Sequence, residues 1–253
     1  MLLKGKVAMV TGVGRGIGKA TALALAKEGS NLVLAELNEE TLFRTTDEVR
    51  AIGAEVVARQ TDVTDSEQVH AIVAAGIERF GRIDVLVNNV GGNWGGMSVD
   101  VDEETWHKIL DLNVTSQFLC AKAVVPHMQA QRDGRIVNIA SNAGRYMSRY
   151  FAGLPYCAAK AGVSGLTREL AYRLARDGIR VNAIEPGHVF TELTAEDWPR
   201  FSDELKKTII DEIPLSRMAE PSEIADAIVF LASDESSYMT GATLEVNGGL
   251  WMS

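Results

Sequence analysis

Short apolar, β-branched runs alternate along this chain with longer stretches of helical spacing. The runs fall at 7–10, 31–35, 55–59, 83–88, 135–140, 179–184 and 243–246. They are nearly continuous in apolar residues rather than alternating, the pattern of strands buried on both faces. Several of the helical stretches close on a glycine, at Gly29, Gly53, Gly81 and Gly178, where the left-handed conformation ends a helix without steric cost. The alternation predicts an α/β fold: a parallel sheet of seven strands flanked by helices on both faces. No internal repeat, low-complexity segment or linker interrupts the pattern, so a single doubly wound domain accounts for the whole chain.

The first strand runs into Thr11-Gly12-Val13-Gly14-Arg15-Gly16-Ile17-Gly18, and a helix follows. Strict G-x-G-x-x-G spacing is not met, yet the physical roles are available. Gly12 permits a tight turn, Gly16 lets the backbone approach a pyrophosphate, and Gly18 lets the helix pack on the strand. The helix N-terminus adds free N–H groups and positive potential. A glycine-rich loop alone is a flexible turn; placed after the first strand of a βαβ unit it predicts a dinucleotide site. Glu36 ends the second strand about 20 residues on, where an acidic side chain accepts from the adenosine ribose. Its carboxylate would repel a 2′-phosphate, which selects NAD over NADP, although Arg15 in the loop is able to assist such a phosphate. Asp62 and Val63 follow the third strand, positioned for the adenine amino group and ring. Asn88, Asn89, Val90 and Gly91 close the fourth, and all lie at strand carboxyl ends, where open α/β sheets bind ligands.

The 103–127 stretch is helical but contains Asn113, whose amide competes for backbone hydrogen bonds and predicts a kink. Ser141 follows the fifth strand; in isolation it is a cap or turn residue. Tyr156 and Lys160 stand four apart, so a helix stacks them on one face. A cation about 4 Å from a phenol favours the phenolate by roughly 4 kcal/mol, about three pKa units, before any desolvation cost. The competing reading is an amphipathic helix with a tyrosine on its buried edge and a snorkelling lysine.

Composition narrows the function class. The 253 residues are 46% hydrophobic and carry a formal charge of −9; no Lys/Arg cluster suggests nucleic acid. No apolar run approaches the ~20 residues of a membrane span. The first strand starts at once, so no signal peptide is expected, and Cys120 and Cys157 are too few for a disulfide framework, consistent with a cytoplasmic protein. His70, His107, His127 and His188 show no ligand spacing, and no metal is expected.

Taken in order, these residues resemble the short-chain dehydrogenase/reductase family over essentially the whole chain. The resemblance rests on the Thr11 to Gly18 loop, Asp62, the Asn88-Asn89-x-Gly91 turn, Asn113, Ser141, Tyr156-x-x-x-Lys160, Pro186-Gly187 with Thr191, and the 241–249 stretch. Val90, Glu185 before Pro186, and a long 141–156 segment depart from the usual pattern. The resemblance implies a Rossmann fold and an NAD-dependent oxidoreductase moving hydride between a secondary alcohol and its ketone. It makes Tyr156 the general acid/base, Ser141 a hydrogen-bond donor to the substrate oxygen, and Lys160 the group that lowers the tyrosine pKa and reaches the nicotinamide ribose. Asn113 would hold a water that links Lys160 to solvent, Gly187 and Val189 would contact the nicotinamide, and Thr191 its carboxamide or the pyrophosphate.

The 190–214 segment resembles the family's lid, with Trp198, Pro199 and Phe201 either covering an apolar substrate or packed as a surface helix. Trp94, Arg145, Arg149 and Trp198 are the candidate pocket residues. An arginine directed inward would imply an anionic substrate; one directed outward is a solvated loop residue. The runner-up activity is a 3-oxoacyl-carrier-protein reductase, which usually favours NADPH and needs a basic docking surface. The resemblance also implies a homotetramer.

Overall fold

The computed structural model describes residues 1–94, 98–146 and 150–252, without the side chains of Leu193 and Asp197. Seven parallel strands form one sheet in the order β3-β2-β1-β4-β5-β6-β7. They are β1 (Val7–Thr11), β2 (Asn31–Glu36), β3 (Val56–Gln60), β4 (Val85–Asn88), β5 (Gly134–Ile139), β6 (Ile179–Pro186) and β7 (Thr243–Val246). The order reverses direction between β1 and β4, the switch point at which a crevice opens beyond the strand ends.

Because successive side chains on a strand face opposite ways, the apolar runs feed two cores. Ala8 and Val10 with Leu32 and Leu34 pack under α1 (Gly16–Lys27), α2 (Glu39–Ile52) and α9 (Pro221–Ala232). Val7 and Met9 with Val33 and Leu86 pack under α3 (Ser66–Phe80), α5 (Ser116–Gln131) and α6 (Leu154–Leu174). The helix ends follow local chemistry. Asn38 and Asp65 cap α2 and α3 with side-chain oxygens, and Gly53 and Gly81 end them with φ of 100° and 74°, the left-handed region in which glycine pays no Cβ penalty.

The kink expected at Asn113 takes the form of a π-helical turn, Asp111–Thr115, between α4 (Glu103–Leu110) and α5. Its extra residue rotates Asn113 into the interior, where it is fully buried. Such bulges cluster at functional sites. Beyond β6 come α7 (Glu192–Asp197) and α8 (Asp203–Asp211).

Candidate functional site

The loops that leave β1 to β6 at the carboxyl edge open on one cleft of about 1270 Å³. That exceeds the roughly 300–1,000 Å³ of a typical ligand pocket, leaving room for a dinucleotide and a second molecule. At one end lies the turn after β1. Gly14 has no room for a side chain, since a Cβ there would sit 2.5 Å from Thr41 Oγ1 and 3.0 Å from Glu36, and a Cβ on Gly18 would run into the Gly12 carbonyl oxygen. Gly18 therefore packs helix on strand, as expected, and does not itself line the cleft. Arg15, the N-cap of α1, offers no side-chain cap, so the helix N-terminus keeps donors for an anion.

Acidic side chains meet these donors. Glu36 Oε2 accepts from the Gly14 nitrogen at 2.9 Å and its Oε1 from the Asn38 nitrogen at 3.0 Å. Glu192, in the first turn of α7, accepts from the Gly16 nitrogen at 2.9 Å, and Arg15 Nη1 donates to Glu196 at 3.0 Å. Sequence reasoning missed Glu192 and Glu196, because nothing in the chain announces that a helix 176 residues away packs against the loop. Thr191 caps α7 and stands against Gly16, while Ile17 packs on the core beneath.

Asp62, Val63, Asn89 and Gly91 line the middle of the cleft. Asp62 Oδ1 accepts from the Thr64 nitrogen and hydroxyl at 2.9 and 2.7 Å. The Asn89 amide donates to the Thr11 and Gly12 carbonyls at 3.0 Å each, so it braces the glycine turn, and fully buried Asn88 donates to Asn138 at 2.9 Å. Pro186, Gly187 and Val189 form the opposite wall. A Cβ on Gly187 would stand 2.8 Å from the Asn247 backbone, which explains glycine there. Glycines that hug the backbone, a helix with open donors and a terminal acid fit a dinucleotide.

Ser141, Tyr156 and Lys160 converge on the cleft floor. The Tyr156 phenol and the Ser141 hydroxyl line the same part of the cleft, and Ser141 is near enough to act on the phenol's ionisation. Ser141 Oγ also accepts from the Ala143 nitrogen at 3.2 Å and donates to Asn142 Oδ1 at 3.3 Å. The Lys160 ammonium nitrogen lies 5.5 Å from the Tyr156 ring centroid and donates to the Ile139 carbonyl at 2.8 Å. Asn113 donates to the Gly92 and Ile109 carbonyls at 2.8 and 2.9 Å and accepts from the Gly92 nitrogen at 3.1 Å. A Cβ on Gly91 would fall 2.7 Å from Asn113 Oδ1 and 3.0 Å from Lys160 Nζ; the missing side chain is what lets this pair flank the loop.

The electrostatics correct one expectation. Burial pushes the Tyr156 phenol up to about 12, with the nearby Ser141 hydroxyl working against it, and burial pushes the Lys160 ammonium down to about 7. Desolvation, omitted from the simple Coulomb figure, dominates both groups, and the lysine does not bring the phenol toward neutrality. Tyr156 is held protonated.

The pocket residues divide. Trp94 lines the cleft. Arg145 does not: it donates to Glu245 at 2.7 Å and approaches Glu185 to 3.9 Å, because carboxylates on adjacent strands β6 and β7 draw it behind the floor. Trp198 turns away from the cleft into the apolar cluster of Ile209, Ile213 and Met218, edge-on to Phe201; Phe201 lines the cleft in its place, with Phe151 and His188. Arg149 lies outside the described residues. Among the described residues no group of His, Cys, Asp and Glu is arranged to hold a metal, and no helix is long and apolar enough to cross a membrane.

Comparison with known proteins agrees with this geometry. Residues 12–251 match the family model described as enoyl-(acyl carrier protein) reductase. The chain is 39% identical to the 3-oxoacyl-(acyl-carrier-protein) reductase FabG of Thermotoga maritima, over 99% of each. Among solved structures, levodione reductase superposes with a TM-score of 0.91 at 35% identity, covering 98% of both chains. A short-chain type dehydrogenase/reductase from Mycobacterium marinum gives 0.93 at 34% identity, covering 99% of this chain and 97% of its own.

Proposed function

The chain belongs to the short-chain dehydrogenase/reductase family of oxidoreductases, and from that membership we propose that it reduces the keto group of a 3-oxoacyl thioester to a hydroxyl, reversibly. The observation that carries the reading is the convergence of Ser141, Tyr156 and buried Lys160 on one cleft. The full-length likeness to relatives named for that reaction supplies the substrate class. A nicotinamide dinucleotide, when bound, supplies the hydride.

Tyr156 gives its phenolic proton to the carbonyl oxygen as charge develops there, and Ser141 donates a hydrogen bond to the same oxygen. A phenol held protonated is the form that reduction needs. Lys160, its ammonium pushed down to about 7 by burial, is positioned with Asn113 around Gly91. The glycine loop, Asp62, Val63, Asn89, Gly187, Val189 and Thr191 hold the dinucleotide, and the 190–214 segment covers the site within one domain. Exposed Phe118 on α5 and Tyr172 on α6 support a homotetramer.

A second reading, an NAD-linked dehydrogenase of secondary alcohols and cyclic ketones, is favoured by Glu36. Its carboxylate sits in the cleft against the glycine loop, accepts from ribose hydroxyls and repels a 2′-phosphate. Turnover of acetoacetyl-CoA, a cyclic diketone and simple secondary alcohols, each with NAD(H) and NADP(H), separates the two. Preference for the thioester supports the first reading, activity confined to alcohols and cyclic ketones replaces it with the second, and inactivity on all of them rejects both.

A further inference from the structure

His188 follows Gly187 just beyond β6, and its imidazole faces the cleft. The backbone holds it in place: the Ala219 nitrogen donates to the His188 carbonyl at 2.9 Å, and the Phe190 nitrogen donates to the Ala219 carbonyl at 2.8 Å. The imidazole meets Phe151 edge-on at 4.9 Å between centroids, and Phe151 meets Phe201 at 5.6 Å. The ring is thus one tile in an aromatic wall. Burial holds it below the usual histidine range, with Glu212 acting in the opposite direction; Glu212 in turn accepts from the Tyr150 hydroxyl at 3.0 Å. At neutral pH it therefore carries one N–H donor and one bare nitrogen acceptor.

Among the described residues neither ring nitrogen of His188 has a hydrogen-bond partner. The half-buried ring is open to the cleft, so its hydrogen bonds are completed by what the cleft holds, water in the free protein and a polar group of the substrate when one displaces that water. Tyr156 and Ser141 already serve the reacting carbonyl. A monoketone has no oxygen left to offer elsewhere, whereas a dicarbonyl has one.

We propose that His188 is a specificity-determining residue that hydrogen-bonds a second carbonyl oxygen of the substrate, so that this cleft selects dicarbonyl compounds over monoketones. The inference rests on the carbonyl-reducing function above and deepens it, since a 3-oxoacyl thioester and a cyclic dione share this chemistry. A site built to hydrogen-bond a polar group rejects the analogue that lacks it, because its own polar atoms are then left unpaired.

The test compares kcat and KM for acetoacetyl-CoA, cyclohexane-1,4-dione and cyclohexanone in the wild type, His188→Phe and His188→Gln. Phenylalanine keeps an aromatic ring against Phe151 and removes both nitrogens; glutamine keeps a donor. In His188→Phe the ratio of kcat/KM for the better dicarbonyl to that for cyclohexanone should fall about tenfold, mainly through KM, and His188→Gln should recover part of the loss. Whichever dicarbonyl shows the larger fall identifies the substrate type. A ratio within about twofold of wild type, or a glutamine variant as impaired as the phenylalanine one, overturns the assignment and leaves His188 as packing. Failure of the wild type to reduce any of the three rejects the carbonyl-reducing function, and this inference with it.

Discussion

Glu192 sets a carboxylate oxygen 2.9 Å from the backbone nitrogen of Gly16, at the first turn of the helix whose N-terminus forms the anion cradle. Glu196 holds Arg15 one turn further along α7. A pyrophosphate entering the cradle competes with these side chains for the same donors. Replacing both with glutamine removes the rival charge, and affinity for the dinucleotide should rise about two- to tenfold. Isothermal titration of the double variant against wild type decides this; equal or weaker binding shows that the two carboxylates do not guard the cradle.

Tyr156→Phe removes the proton donor while leaving the ring over Lys160. kcat for carbonyl reduction should fall at least about 100-fold, with an unchanged circular dichroism spectrum. Normal turnover by this variant would exclude Tyr156 as the acid.

Burial of Lys160 has a stability signature. Its pKa is about 7 in the folded chain and about 10.4 when unfolded. Between those values the unfolded chain binds the extra proton, so stability rises with pH across that window and is lost as pH falls toward 7. Tyr156, pushed up to about 12, acts in the opposite direction only above about 10. Urea midpoints at pH 6.5 to 9.5 should climb for the wild type relative to Lys160→Met. Parallel curves would show that the lysine is not held in its lowered state.

Glu36 makes the cofactor choice testable. Glu36→Ala deletes the acceptor and the repulsion of a 2′-phosphate, and the ratio of kcat/KM with NADPH to that with NADH should rise at least about tenfold. Some stability will be lost too, because the carboxylate holds the Gly14 and Asn38 nitrogens. An unmoved ratio would mean that another group discriminates the ribose.

Gly91→Ala places a methyl between Asn113 and Lys160. Their displacement should lower kcat about ten- to hundredfold with little change in melting temperature. A full loss of folding, or no kinetic effect, would contradict the account of that glycine.

The sheet, its strand count and the order of chemical groups along its carboxyl edge were legible in the chain itself. Buried parallel strands must be apolar on both faces, glycines must stand where backbone meets backbone or ligand, and Tyr156 and Lys160 share a helix face by spacing alone. Even the irregularity at Asn113 was visible, though the π-helical form it takes was not. Tertiary structure decided what depends on distant partners. Arg145 turned to Glu245 and Glu185 because β6 and β7 lie side by side, and Trp198 left the cleft for an apolar cluster assembled from α8 and the segment after it. Glu192 and Glu196 of α7 reached the glycine loop across the fold. The protonation of Tyr156 and Lys160 was decided the same way, since desolvation depends on everything packed around a group and helical spacing reports only its nearest neighbour.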